Sequence, residues 1–112
     1  MDLKQGTIAI AAIRPPSGPI KRRPVVIATP TELIPGRQKV LVIGISGSFR
    51  PGDPDIIPVP YRDDGNVCTG FKRPCAISFA LRDEIEKGEL EITRCWIGKT
   101  ALLELVKRLK KL

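Results

Sequence analysis

Only the last stretch of this 112-residue chain spaces its apolar residues as a helix does. Leu102, Leu105, Val106 and Leu109 follow the i, i+3, i+4, i+7 rule, while Glu104, Lys107, Arg108, Lys110 and Lys111 cover the opposite face. Gly98 ends the preceding segment, Thr100 is placed to cap, and the late Lys and Arg residues suit the negative end of the helix dipole. Everything earlier comes as short, β-branched runs separated by Pro, Gly and Asp. A chain built this way folds as a mainly β domain with a C-terminal helix. The expectation is five to seven short, mostly antiparallel strands in a strongly curved sheet or barrel, with no βαβ pattern. The apolar stripe of the helix then serves as cover for the sheet rather than as a free membrane-surface helix. At this length one domain spans residues 1–112.

Thr7–Ile13 (TIAIAAI) alternates as a strand does, and Arg14–Pro19, with three prolines and a glycine, is a connecting loop whose far end carries Lys21-Arg22-Arg23. Pro24–Thr29 is a second strand. Lys39–Ile45 (KVLVIGI) is nearly continuous in apolarity, which predicts a central strand buried on both faces. A short strand falls at Asp55–Ile57, and Asp63–Asn66 is a turn. Cys75–Leu81 returns as a strand with Ile77, Phe79 and Leu81 on one face, and Arg82–Lys87 has room for a helical turn. Glu89–Ile97 is the last strand, with Leu90, Ile92 and Trp96 inward and Trp96 beneath the helix.

Histidine is absent, which removes the usual neutral-pH acid–base, the Ser-His and Cys-His nucleophile pairs and the commonest metal ligand. Cys68, Cys75 and Cys95 are odd in number and lack CxxC spacing, so neither a disulfide framework nor a zinc knuckle is expected. No apolar run approaches the roughly 20 residues that cross a bilayer. Met1–Gly6 lacks a basic-then-apolar signal pattern, and a reducing cytoplasm is the expected location. The net charge of +7 is uneven: residues 1–50 carry +6, residues 51–93 carry −4 and residues 94–112 carry +5. A small basic domain of this kind meets a polyanion or an acidic protein partner.

Five blocks recur in a familiar order: Gly6-Thr7-Ile8; Arg23-Pro24-Val25-Val26-Ile27; Val42-Ile43-Gly44-Ile45-Ser46; Thr69-Gly70-Phe71-Lys72-Arg73-Pro74-Cys75; and Trp96-Ile97-Gly98-Lys99. Their order and spacing resemble the MazF/PemK toxin family, which includes the Kid toxin, over essentially the whole chain. The resemblance implies an SH3-like barrel and a homodimer. It also implies metal-independent, sequence-selective cleavage of single-stranded RNA, restrained by a cognate antitoxin, with no cofactor. The family's Arg of the Arg-Pro motif and the hydroxyl residue closing the central strand match Arg23 and Ser46. Three departures stand out. Thr7 takes the place of an acidic residue, Ser46 that of the commoner Thr, and no acid falls in the Ala76–Ala80 strand, although Asp83 follows it.

RNA carries its own nucleophile, so a 2′-OH aligned with the adjacent phosphorus can cleave the chain to a 2′,3′-cyclic phosphate and a 5′-OH. The protein must then position the backbone, stabilise the phosphorane and help move protons. A guanidinium bridges phosphate oxygens bidentately, which gives Arg23 that task, with proton transfer to the leaving oxygen as a second role. Ser46 would donate to the phosphate or hold the 2′-OH in line; as an ordinary turn residue it would bond its own backbone instead. Lys21, Arg22, Ser48, Arg50, Lys72 and Arg73 are the candidate RNA-binding positions, the cations holding flanking phosphates without reading sequence. Phe49, Tyr61 and Phe71 are the loop aromatics on which bases could stack, unless Phe71 belongs to the core. The first alternative is a catalytically inactive barrel of the same kind that binds RNA or a protein partner. A gyrase poison like the CcdB toxins would need a Trp-Gly-Ile ending, where this chain has Lys110-Lys111-Leu112, and a proline-peptide adaptor would need more loop aromatics. An inhibiting antitoxin tail is expected to be acidic, extended and partly apolar, competing with RNA for the basic groove.

Overall fold

The alternation in TIAIAAI makes Thr7–Ile13 a strand, β1, and sends its residues to two different cores. The computed structural model describes residues 3–15 and 18–111; Pro16 and Ser17, within the first expected loop, lie outside them. After β1 come β2 (Lys21–Ile27), β3 (Lys39–Ser46), β4 (Ile56–Val59), β5 (Cys75–Glu86), β6 (Glu91–Trp96) and the helix α1 (Lys99–Leu109). Short 3-10 turns at Thr31–Leu33 and Lys87–Glu89 join β2 to β3 and β5 to β6. The strands form one antiparallel sheet in the order β4-β5-β3-β2-β1-β6, curled into a half-barrel.

β3 lies inside the sheet and is buried on both faces, as its unbroken apolarity predicts. Ile43 and Ile45 join a first core with Ile8, Val26, Ile57, Ile77 and Ile97, which α1 covers through the buried Ala101 and Leu105. Val40 and Val42 face a second core with Ala11, Ile13, Val25 and Ile27. That side is closed by the curl itself, which brings in Ile85 and Leu90, and by Ile34 from the connection before β3.

The curl depends on Gly44. Between the pairs Ile43↔Arg82 and Ile45↔Ile77, β3 advances two residues while β5 advances five, so β5 bulges out of register. Leu81 from that bulge packs directly over Gly44: a Cβ there would lie 2.8 Å from the Leu81 Cβ and 2.9 Å from the Ile13 Cδ1. No side chain other than hydrogen fits.

Several expectations are corrected. The basic triplet belongs to β2 itself, because Lys21, Arg22 and Arg23 pair with Ile13, Ala12 and Ala11. Arg82–Glu86 continues β5 as strand rather than forming a helical turn, since its residues pair with Lys39–Ile43 of β3. The bulge separates Leu81, which packs in the second core, from Ile77 and Phe79, which pack in the first. Trp96 points outward, 40% exposed, at the end of an edge strand, and the fully buried Ile97 fills the place beneath the helix. Gly98 takes the N-cap position at φ +86, so Thr100 lies inside α1 and does not cap.

Arg108 staples α1 to the sheet edge. Its guanidinium donates to the carbonyls of Pro54 (2.7 Å) and Ile56 (2.8 Å) and to Glu104 Oε1 (2.9 Å). The bond from Arg108 holds the Glu104 carboxyl below its ordinary range. Two outcomes are expected in urea unfolding. Gly44→Ala should cost about 1–3 kcal/mol through overpacking, whereas Gly36→Ala, whose Cβ meets nothing within 4 Å, should be close to neutral. Arg108→Ala should cost about 1–3 kcal/mol, because it leaves the Pro54 and Ile56 carbonyls without their charged donor.

Candidate nucleic-acid interface

Antiparallel neighbours bring opposite chain ends together, so the start of β2, the end of β3, the start of β5 and the end of β4 adjoin. β2 and β3 pair Val25↔Gly44, Val26↔Ile43 and Ile27↔Val42; the same register continued by two residues sets Arg23 across from Ser46. Ser46 in turn pairs with Ala76, and Cys75 with Val59. The two residues assigned to the chemistry, 23 positions apart in sequence, therefore lie at the same end of the neighbouring strands β2 and β3.

Arg23 is half-buried opposite Ala11, and its Nε is buried with no hydrogen-bond partner among the described residues. An unpaired buried N–H costs about 1–3 kcal/mol, so this side chain is kept against the stability of the fold. Such a group is a donor awaiting an acceptor.

Ser46 is committed to the turn that leaves β3. Its hydroxyl accepts the Ser48 N–H at 3.0 Å and donates to the Ser48 carbonyl at 3.2 Å. The turn role weighed against catalysis is therefore real. It leaves the oxygen one acceptor position, and it holds that oxygen still.

The remaining candidates divide. Arg22 alternates to the face opposite Arg23 and forms an exposed ion pair with Glu91 at 3.6 Å. It does not converge with the others, and an exposed pair of this kind is worth little to stability. Lys21 is exposed at the start of β2, Ser48 and Arg50 are exposed after β3, and Lys72 and Arg73 are exposed before β5. The Gly47–Ser48 turn lies beside Pro74, so Arg73 borders it. Among the described residues the ion pairs are Arg22–Glu91, Arg62–Asp64 and Arg108–Glu104, which leaves Lys21, Arg23, Arg50, Lys72 and Arg73 without a paired carboxylate. The acids Asp83, Glu84 and Glu86 sit across from the first half of β3, far along the strand from Ser46.

Sequence reasoning missed Arg14, which is exposed just beyond Ile13 and hence beside Lys21, adding a cation to this end. It also missed the brace of the β4–β5 loop, although an Asn and a Thr three residues apart were the signal. Asn66 Oδ1 accepts the N–H groups of Cys68 and Thr69, and the buried Thr69 donates its hydroxyl to the Pro60 carbonyl at 2.8 Å while accepting the Phe71 N–H. Phe71 packs against the first core, Phe49 is half-buried and Tyr61 is exposed. Burial pushes the Cys75 thiol up, which keeps it protonated and unreactive at neutral pH. No helix among the described residues is long and apolar enough to cross a membrane.

No family model and no curated protein sequence matches the chain. Solved structures do. The Mycobacterium tuberculosis toxin MazF-mt6 superposes with a TM-score of 0.63 at 25% identity, covering 95% of this chain and 97% of its own. MazE-MazF from Deinococcus radiodurans superposes at 0.67 with 13% identity, covering 99% and 95%. An Mtb toxin superposes at 0.58 with 22% identity, covering 87% and 97%. A six-stranded curled sheet crossed by one terminal helix is the fold of these toxins. The chain accordingly shares the fold of these MazF toxins, the family its sequence blocks resemble.

The unpartnered Nε of Arg23 leads to a stability prediction. Arg23→Met, which keeps the stem and removes the buried donor, should leave the protein as stable as wild type or about 1 kcal/mol more stable in urea. A loss of stability would show that the guanidinium serves the fold.

Proposed function

We propose that this protein is the toxin of a toxin–antitoxin pair, a cytoplasmic endoribonuclease that cleaves single-stranded RNA at selected sequences, without metal, as a homodimer. The observation that carries the reading is the half-buried Arg23, whose buried Nε has no hydrogen-bond partner among the described residues. It lies at the same end of β2 and β3 as Ser46, beside cations that have no paired carboxylate among those residues. The likeness to MazF-mt6, described as a toxin, and to MazE-MazF supports the toxin class and a protein antitoxin.

The chemistry is a transesterification. The 2′-oxygen attacks phosphorus, the bond to the 5′-oxygen breaks, and the products are a 2′,3′-cyclic phosphate and a 5′-OH. No water or oxidant is consumed. Arg23 donates to the non-bridging oxygens, where charge accumulates in the transition state, and its fixed stem requires no reorganisation at that moment. Ser46 has its proton engaged with the Ser48 carbonyl, so its free capacity is as acceptor: it holds the 2′-OH in line by accepting its hydrogen bond. The proton that the 2′-oxygen loses passes to solvent, and one is delivered through Arg23 to the 5′-oxygen as its bond to phosphorus breaks. Lys21, Arg50, Lys72 and Arg73 hold the flanking phosphates, with Ser48 at the turn between them. An acidic antitoxin tail would inhibit by occupying these cations.

A second reading, a barrel that binds RNA without cutting it, is favoured by one observation: both hydrogen bonds of the Ser46 hydroxyl already go to its own turn. Incubation with a long single-stranded RNA in excess EDTA, followed by mapping of the ends, separates the two. Discrete cuts with 5′-OH ends are expected, reduced at least ~10²-fold in Arg23→Ala and retained in Ser46→Thr, which keeps the hydroxyl. Intact RNA together with retained gel-shift binding would replace the enzyme by the binding module.

A further inference from the structure

We propose that Tyr61 is a stacking platform for one unpaired base of the RNA, placed beside the phosphate-holding cations; the inference rests on the ribonuclease reading above. β4 ends at Val59, paired with Cys75, and beyond it the register slips by one residue, which sets Tyr61 beside Lys72. The two segments stay side by side beyond the sheet, because the Arg62 N–H donates to the Phe71 carbonyl at 3.0 Å. The Pro74 carbonyl, two residues after Lys72, lies against Gly47 of the turn that follows Ser46.

Three features distinguish this ring from the other loop aromatics. It is 47% exposed, whereas Phe71 packs on the core and Phe49 is half-buried. Its backbone is clamped on both sides, at Pro60 by the Thr69 hydroxyl and at Arg62 by Phe71. Lys72 beside it and Arg73 next along have no paired carboxylate among the described residues, while Arg62 pairs with Asp64 at 3.3 Å. A rigid, exposed aromatic face next to free cations matches what a single strand offers, a base with a π-face beside a phosphate. Ordering a tyrosine of two rotatable bonds on a braced loop costs little entropy on binding.

The test measures binding of a short single-stranded RNA carrying 2-aminopurine by the fluorescence of that base, in the non-cleaving Arg23→Ala background. Cleavage-site mapping runs in parallel in otherwise wild-type protein. Tyr61→Ala and Tyr61→Leu should each weaken binding about 5–100-fold and blur the preferred cut sites, while Tyr61→Phe stays within about twofold of the parent. Agreement between the Ala and Leu variants guards against a folding defect in either. Unchanged affinity in Tyr61→Ala, with wild-type protein cutting normally, overturns the stacking site alone. Equal loss in Tyr61→Phe overturns it too, by assigning the effect to the hydroxyl. Wild-type protein that neither binds nor cuts RNA overturns the ribonuclease reading beneath it.

Discussion

The approach of Leu81 and Ile13 over the bare backbone of Gly44 is the contact on which the architecture depends. β5 is one twelve-residue strand that serves two parts of the sheet, pairing with β4 through its first half and with the start of β3 through its second. It can do so only by bulging, and the bulge needs somewhere to put Leu81. An empty position at the centre of β3 provides it. The curl that follows buries both sides of β3 within a single sheet. It also sets the start of β2, the end of β3 and the start of β5 side by side, where Arg23, Ser46 and Arg73 gather.

Stability and function draw apart at that strand end. The second core takes Val25 and Ile27 from β2, yet Arg23 near the start of that strand has a buried Nε with no hydrogen-bond partner among the described residues. Among the described residues Lys21, Arg23, Arg50, Lys72 and Arg73 have no paired carboxylate, and the acids of the second half of β5 lie at the other end of β3. This separation is a matter of register: β3 and β5 run antiparallel, so the acidic half of β5 falls beside the start of β3. The field at the Ser46 end is thereby left positive, as a polyanion site requires.

Much of this was readable beforehand. Apolar periodicity gave α1, the alternation in Thr7–Ile13 gave β1 to the residue, and the unbroken run in Lys39–Ile45 placed β3 between neighbours on both sides. Arg23 and Ser46 were joined in one candidate site only by matching blocks to a family, because register is not written in either strand alone. Arg82–Glu86 read as polar and indeterminate, since its charges face outward from an edge whose pairing partner lies some forty residues away. Trp96 was placed inward by size, but at an edge strand the large ring stays out and the residue after it turns in. The brace around Asn66 and Thr69 escaped notice because side-chain-to-backbone bonds leave only a faint trace in sequence.

The place of α1 in the chain has a consequence for synthesis. The first core presents Ile8, Val26, Ile43, Ile45, Ile57 and Ile77 on one face of the sheet, and the residues that cover it, Ala101 and Leu105, are made after every strand. Chains fold as they emerge, N-terminal parts first. The sheet can therefore pair before it can be covered, and for that interval it shows water a broad aliphatic face. The staple from Arg108 to the Pro54 and Ile56 carbonyls forms in the same late step. Completion of the barrel, and with it the settled placement of the loop that carries Ser48 and Arg50, is thus tied to the arrival of the last turns of the helix. A ribosome making this protein completes that strand end only after the last turns of α1 have been made.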